Sequence, residues 1–564
     1  MTGADILLKS LIKEKVDLIF GYPGGKTIAL HDKLKDYPQI KHILPRHEQG
    51  AAMMADAYYR VTGRPGVCLT TSGPGATNLI TGVANAYMDS VGMVAITCQV
   101  DRDMVGTDAF QEVDITGITQ PIVKHNYFVE NVKELPQTIK HAFHLASTGR
   151  PRPVHIDIPG DIFKQNLKEF NYPQNINLPG YQLPKEPKQT SVDQAVDLIK
   201  KSARPVIIAG HGVLIARAWT ELKQLAETSQ IPVISTLLGI GSLPQSHPLC
   251  IGMLGMHGMA WANYAVHNAD LIIGIGLRFD DRITGKIDEF AQDANVIHID
   301  IDPAEIGKNT LVDVALPGDC KQILKRLNQN LPAKKHERWL AKVATWSRDH
   351  RQSLVKKATR AQKTKHLMAQ DIIKEIDKQT KSQAVIASDV GQNQMWAAQF
   401  YNFQNPNQLL SSGGLGSMGY GLPAAIGAQF ADPRAQVWAI VGDGGIQMNI
   451  QELGTIMEHQ LPIKIVLLNN GYLGMVRQWQ EMFFKKNYCA TKLVNPNFIA
   501  LAQAYNIKAE RAADWPKAQK IIKQAALDKK QSFFMEFIIG EEDCVFPMVP
   551  PGNNLKDTII KRNQ

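Results

Sequence analysis

The sequence predicts an α/β protein made of three doubly wound parallel-sheet domains. Three observations point there. Short apolar, β-branched runs alternate with helical stretches; the runs read as strands buried on both faces; and two polar stretches divide them into three blocks. The first block, 1–165, carries the runs DLIFGY (17–22), GVCLTTSGPG (66–75), MVAITCQ (93–99) and PVHIDIP (153–159). A polar, proline-bearing stretch at 165–190 reads as a linker. The second block, 190–332, carries PVIIAGHG (205–212), IPVISTLLG (231–239), DLIIGIG (270–276) and NVIHIDID (295–302). The charged helical region 333–365 is the second linker. The third block, 366–564, carries QAVIASDVGQ (383–392), VWAIVGDGG (437–445), PIKIVLLNNG (462–471) and SFFMEFII (532–539). In open α/β sheets ligands sit beyond the carboxyl ends of the strands, and the motifs that carry chemistry fall there.

Composition excludes several classes. A chain of 564 residues is too long for one core. Its 44% hydrophobic and 20% charged residues are those of an ordinary globular enzyme. No run of 18 apolar residues appears, so no membrane span is expected. The net charge of +9 is dispersed, densest at 333–365 and 484–486. Nucleic-acid binding would need it focused on one face with stacking aromatics, so no nucleic-acid partner is expected. A basic balance does favour anionic substrates. Cysteines 68, 98, 250, 320, 489 and 544 are scattered without CxxC spacing, which argues against a disulfide framework or a zinc site. The opening MTGADILLKSLI has neither a signal cleavage site nor Arg-rich transit character, so the expected location is cytoplasmic.

The most informative stretch is GDGGIQMN (442–449), followed after 24 intervening residues by NNGY (469–472). VWAIVG is a buried strand ending in glycines, which let the backbone approach a ligand and offer free N–H groups to phosphate. Asp443 is a hard oxygen ligand. The next strand, IKIVLLNN, ends in Asn470, whose amide carbonyl is another. Magnesium takes an octahedron of oxygens, a few from protein and the rest from phosphate and water. A lone GDG is usually a turn; with a helix-length gap and a strand-end NN it predicts Mg²⁺ and a diphosphate.

This GDG-x24-NN pattern resembles the signature of the thiamine-diphosphate enzymes. A closer resemblance covers nearly the whole chain. RHEQGAAMMADAYYRVTG (46–63), TSGPGATN (71–78), GTDAFQEVDITGIT (106–119), MLGMHG (253–258), RFDDRITGK (278–286), GGLGSMGYGLPAAIGA (413–428) and GMVRQWQ (474–480) are similar to the large, catalytic subunit of the acetohydroxyacid (acetolactate) synthase family. The resemblance implies the thiamine-diphosphate enzyme fold, with an N-terminal pyrimidine-binding, a central FAD-binding and a C-terminal diphosphate/Mg-binding domain. It implies decarboxylation of pyruvate on thiamine diphosphate and transfer of the hydroxyethyl carbanion to pyruvate or 2-oxobutyrate, in branched-chain amino-acid biosynthesis.

Residue roles carry over motif by motif. Glu48 is the acid that hydrogen-bonds the aminopyrimidine and makes the cofactor its own base, and Gln111 faces the reacting centre. Gly391, Gln392, Asn393, Gly416, Gly442, Gly444, Gly445, Gly474 and Met475 are implied thiamine-diphosphate contacts, with Met418 propping the cofactor into its bent shape. Asp443, Asn470 and the Tyr472 carbonyl are implied metal ligands. A structural, non-redox FAD is implied at Arg150, Gly210, Gly212, Thr236, Leu237, Met256, His257, Gly276, Arg278, Asp280, Arg282, Asp300, Ile301 and Asp319. Phe110, Met256, Arg282 and Trp479 match substrate-pocket positions, Trp479 narrowing the acceptor pocket.

Because Glu48 lies some 400 residues from Asp443, the resemblance implies a homodimer or homotetramer with each site shared between subunits, and a small regulatory subunit as a further partner. The alternatives are a pyruvate oxidase, a glyoxylate carboligase, an FAD-free catabolic acetolactate synthase, or an inactive paralogue with a regulatory or assembly role. Two departures stand out. Gly160 replaces the family's lysine in IPGD, with Lys164 the nearest substitute. Asn393 replaces a histidine after VGQ, which keeps a hydrogen-bonding amide but loses titration near neutrality.

Overall fold

The computed structural model describes residues 1–361 and 366–561. Residues 362–365 of the second linker and 562–564 of the third block lie outside the described residues. The described chain forms three six-stranded sheets, parallel throughout. The first contains β1 (Leu18–Tyr22), β2 (Lys41–Ile43), β3 (Gly66–Thr70), β4 (Met93–Gln99), β5 (His125–Phe128) and β6 (Pro153–Pro159), ordered β2-β1-β3-β4-β6-β5. The second contains β7 (Pro205–Ala209), β8 (Val233–Ser235), β9 (Cys250–Met253), β10 (Leu271–Ile275), β11 (Asn295–Asp300) and β12 (Val314–Pro317), ordered β12-β11-β10-β7-β8-β9. The third contains β13 (Val385–Ser388), β14 (Leu409–Ser411), β15 (Val437–Gly442), β16 (Lys464–Asn469), β17 (Lys508–Ala512) and β18 (Phe533–Ile538), ordered β14-β13-β15-β16-β18-β17.

The first and third sheets share one winding, and the second has the order of a dinucleotide-binding fold. Central strands are buried at nearly every position, as their unbroken apolar runs require: β4, β6 and β10 are buried throughout. Edge strands are short and half-exposed, as in β2 and β17.

The first and third units meet through two helices of small residues. Helix Glu48–Thr62 starts at the cap His47, whose Nδ1 accepts the Gln49 N–H at 3.1 Å, and ends at Gly63, left-handed at φ +73°. It lies against helix Gly421–Ala431, where a side chain on Gly427 would overlap the Met54 backbone. Beside this contact Arg60 is buried between two acids: its Nε donates to Asp56 at 2.6 Å and its Nη2 to Asp89 at 2.8 Å. The third unit completes the arrangement. Tyr420 donates its hydroxyl to Asp56 at 2.7 Å, and the Gly413 and Gly414 amides donate to Asp89. Arg60→Met leaves two buried carboxylates without their cation, so it should cost about 3–5 kcal/mol. A fall in thermal midpoint tests this.

The linkers are not passive. The first runs without regular structure, yet Tyr172 and Tyr181 fasten it to the first unit through Glu14 (2.6 Å) and the Thr148 carbonyl (2.8 Å). The second forms helix Glu337–Ala361. Its charge would suit a solvated helix, but its N-terminal part is not solvated. Trp339 and Val343 are buried, and the Trp339 indole donates to the Pro205 carbonyl at 3.0 Å. Among the described residues no helix is long and apolar enough to cross a membrane.

Candidate functional site

In each sheet the chain order reverses between two neighbouring strands, and ligands of open α/β sheets sit beyond the carboxyl ends there. In the third sheet this point lies between β13 and β15, which are followed by Asp389-Val390-Gly391 and Asp443-Gly444-Gly445. β15 pairs with β16 through Gly442 and Leu468, so Asp443 and Asn470 emerge from adjacent tips. Asp443 Oδ2 accepts the Gly471 N–H at 2.9 Å and the Asn495 amide at 2.6 Å. Asn470 Oδ1 accepts the Tyr472 N–H at 3.1 Å, and its Nδ2 donates to Gln392 Oε1 at 3.2 Å. Gln392 is held in turn by Gln478 and the Asp543 carbonyl.

Asp443 is 1% exposed, and burial pushes its carboxyl up to about 6. Among the described residues no lysine or arginine pairs with it. A buried carboxylate needs a compensating charge, so this donor set fits a divalent cation. The surrounding backbone fits a phosphate cradle. Gly391 (φ +128°) and Gly416 (φ +73°) adopt conformations that favour glycine, and a Cβ on Gly444 would stand 2.6 Å from Leu473. That same Cβ would lie 3.6 Å from Met418, which places Met418 on the cradle. Met475 packs partly buried at the start of helix Gly474–Phe483, where a Cβ on Gly474 would overlap Gln392 and crowd Asn470. Asn393 donates to the Asp389 and Ile440 carbonyls at 2.8 and 3.2 Å. Its amide is therefore committed to the backbone, with Oδ1 facing Gly391 and Gly442.

The first sheet reverses between β1 and β3. Glu48 opens helix Glu48–Thr62 and accepts the Asn78 amide at 2.9 Å; it is 8% exposed. A Cβ on Gly75 would lie 3.3 Å from Glu48 Oε1, and one on Gly73 would lie 2.9 Å from the Gln111 Cα. The TSGPG loop thus brings Glu48 and Gln111 together, with Gln111 itself left-handed at φ +64°. Phe110, beside it, is 86% exposed. Among the described residues Glu48 bonds within its own unit, to Asn78, and not to the third-sheet cluster.

At Gly160 the structure corrects the sequence reading. Lys164 is exposed, and the cation next to Gly160 is Lys26. Its ammonium sits 3.0 Å from Asp101 Oδ1, and a Cβ on Gly160 would lie 2.8 Å from that oxygen and 3.1 Å from Lys26 Cδ. Glycine at 160 leaves room for a lysine arriving from another loop.

The second sheet reverses between β7 and β10, and glycines cross there. A side chain on Gly210 would overlap the Gly276 carbonyl, and one on Gly212 would stand 2.7 Å from Gly276 Cα. A cavity of about 970 Å³ opens above them, at the upper end for cofactor sites. Its wall gathers Arg150, Gly212, Thr236, Leu237, Met256, His257, Gly276, Arg278, Asp280, Arg282, Asp300, Ile301 and Asp319. Gly391, Gly416, Met475 and Trp479 continue the wall to the third unit, so both predicted cofactor regions share one space. Burial pushes Asp300 up to about 7 and His257 down to about 4, leaving His257 neutral. Arg150 is not free: it pairs with Glu305 at 2.6 Å and Asp302 at 3.2 Å. Arg282 reaches the Met256 sulfur at 3.3 Å. The buried Trp479 indole N–H has no partner among the described residues, and its ring meets Phe483 edge-on at 5.8 Å. The glycine crossing and the strand-tip acids fit a dinucleotide. Glu48, Gln111, Phe110 and Asp443 lie off this wall.

Sequence reasoning missed Lys26, Asp389, Gln478 and Asn495. Asp389 alone carried a signal, as an acid at the end of the apolar run QAVIAS. It is fully buried, pushed up to about 6 by burial, and accepts the Val390 and Gly419 amides.

Comparison with known proteins agrees with this geometry. Residues 1–118 match the thiamine pyrophosphate enzyme N-terminal TPP binding domain, 192–327 the central domain, and 389–537 the C-terminal TPP binding domain. The acetolactate synthase large subunit of Corynebacterium glutamicum is 46% identical across 99% of this chain and 90% of its own length. The chloroplastic acetolactate synthase of Arabidopsis thaliana is 45% identical across 99% and 84%. A probable acetolactate synthase large subunit of Methanocaldococcus jannaschii is 44% identical across 99% and 95%. With three domain models matched in order and such identity along nearly the whole chain, the protein belongs to the acetolactate synthase large-subunit family of thiamine pyrophosphate enzymes.

Proposed function

We propose that the chain is the catalytic subunit of an acetolactate synthase. It joins two 2-oxoacids with loss of carbon dioxide, giving 2-acetolactate from two pyruvates and 2-aceto-2-hydroxybutyrate when 2-oxobutyrate is the acceptor. The observation that carries this reading is the buried, cation-seeking Asp443 beside Asn470 at the tips of β15 and β16. When bound, thiamine diphosphate supplies the electron sink for decarboxylation.

The chain's residues do the rest. Asp443, Asn470 and the Tyr472 carbonyl would hold Mg²⁺, and the backbone at Gly391, Gly416 and Gly442–Gly445 would hold the diphosphate. Gln392 steadies Asn470. Glu48 holds a proton at the pyrimidine ring nitrogen, and Asn78 fixes its carboxyl. Gln111 and Phe110 bring the first unit's loop to the reacting carbons, and Arg282 meets the acceptor carboxylate. The central cavity would hold FAD as a structural group. The exposure of Phe110 and the separate bonding of Glu48 support a homodimer or homotetramer, in which a second chain completes each site. Six free thiols suit a reducing cytoplasm.

The test is product analysis with pyruvate, with and without 2-oxobutyrate, Mg²⁺ and thiamine diphosphate. Acetolactate that appears only with both cofactors supports the reading. Flavin reduction at the rate of pyruvate consumption would show a pyruvate oxidase instead. Within this reading Trp479→Leu should reduce the preference for 2-oxobutyrate over pyruvate by roughly 10-fold, since one methylene is worth about 1–3 kcal/mol in an apolar pocket. Competition between the two acceptors measures it.

A further inference from the structure

Glu452 ends the short turn Ile450–Glu452 that follows the Asp443 loop, and its side chain is wholly buried. It does not bond within the diphosphate cradle. Its Oε1 accepts the backbone N–H groups of Arg46 at 2.9 Å and His47 at 3.1 Å, and its Oε2 accepts the Thr455 hydroxyl at 2.7 Å. Those two amides come immediately before Glu48, the first residue of helix Glu48–Thr62. The approach to a helix start has backbone donors without intrahelical partners, so an acceptor placed there fixes how the chain enters the helix.

Two further features make this junction specific. Arg46 reaches back to the third unit, donating to Glu458 at 2.6 Å and to the Gly454 carbonyl at 3.3 Å. Gly50, on the first turn of the helix, leaves the carboxylate its space: a Cβ there would stand 2.5 Å from Glu452 Oε1.

We propose that Glu452 is a positioning residue that sets the orientation of Glu48 toward the cofactor. This rests on the reading of Glu48 given above. The third unit thus does two jobs, holding the diphosphate at Asp443 and aiming the first unit's acid from Glu452. Burial pushes the Glu452 carboxyl up to about 7, so the position calls for an acceptor of two N–H groups more than for a charge. Glutamine keeps that acceptor and alanine does not.

The experiment uses the full chain with thiamine diphosphate, Mg²⁺ and FAD. Glu452→Ala should lower kcat by roughly 10- to 100-fold, the scale of a misplaced catalytic group, with KM for pyruvate changed by less than about threefold. It should also speed amide hydrogen exchange in the 44–50 segment. Glu452→Gln should recover kcat to within about threefold. Gly50→Ala, which crowds the carboxylate off its two amides, should reproduce the alanine result and carries the test if Glu452→Ala does not fold. Unchanged kcat in both alanine variants, or lost kcat with unchanged exchange at 44–50, overturns the proposal. A wild-type chain that makes no acetolactate would overturn the functional reading instead, and exchange at 44–50 would still report whether Glu452 holds the helix start.

Discussion

Glu48→Gln should lower acetolactate formation by roughly 10²- to 10⁴-fold, the span that one positioned acid–base group contributes. The substitution isolates the proton. Glutamine has the size of glutamate, and its carbonyl can take over the 2.9 Å bond from Asn78. The helix start is otherwise secured by the His47 cap and the acceptor from Glu452, neither of which involves the Glu48 side chain. Folding and flavin content should therefore match the parent while turnover collapses. Flavin absorbance and acetolactate yield on the same preparation check both halves. A Glu48→Gln enzyme with full activity would remove Glu48 from the reaction.

Asp443→Asn has effects of opposite sign on binding and on stability. The amide keeps the shape of the strand tip but loses the negative charge, so affinity for Mg²⁺ and thiamine diphosphate together should fall at least ~100-fold, about 2.8 kcal/mol. Without cofactor the balance reverses. Burial holds the Asp443 carboxyl up at about 6, far above an unfolded aspartate, so above pH 6 the apoprotein keeps an ionised group in a site that disfavours it. Stability from this group is complete at acid pH and is lost as pH rises through about 6. At pH 8 the Asp443→Asn apoprotein should melt no lower than the parent, while a given cofactor concentration raises the parent's midpoint further than the variant's. Thermal melts with and without cofactor read both signs. An apoprotein markedly destabilised by the substitution would show that Asp443 serves the fold and not the cation.

How much was legible in the sequence follows from burial. The twelve quoted apolar runs all contain strands, and each is long or apolar enough to announce a sheet interior. The strands they omit are β2, β5, β9, β12, β14 and β17, the two edges of each sheet. An edge strand has one neighbour and a wetter face, so its composition is mixed: HNYF in β5 and KAERA in β17 carry no apolar run. The site divides in the same way. Asp443 and Asn470 stood out because their spacing follows from one strand–helix–strand unit. Asn495 and Glu452 meet their partners only through folding, across 52 and 406 residues. Lys26 was invisible for a related reason: the space it fills belongs to Gly160, in a different loop.

The matching strand orders of the outer two sheets bear on how such a chain can change. One winding supplies two equivalent switch points, and in the proposed function a few side chains at their rims set one to grip an anion with its counter-ion and the other to present an acid to an aromatic ring. New chemistry in this architecture therefore asks for substitutions at the rims, with the frame beneath left alone.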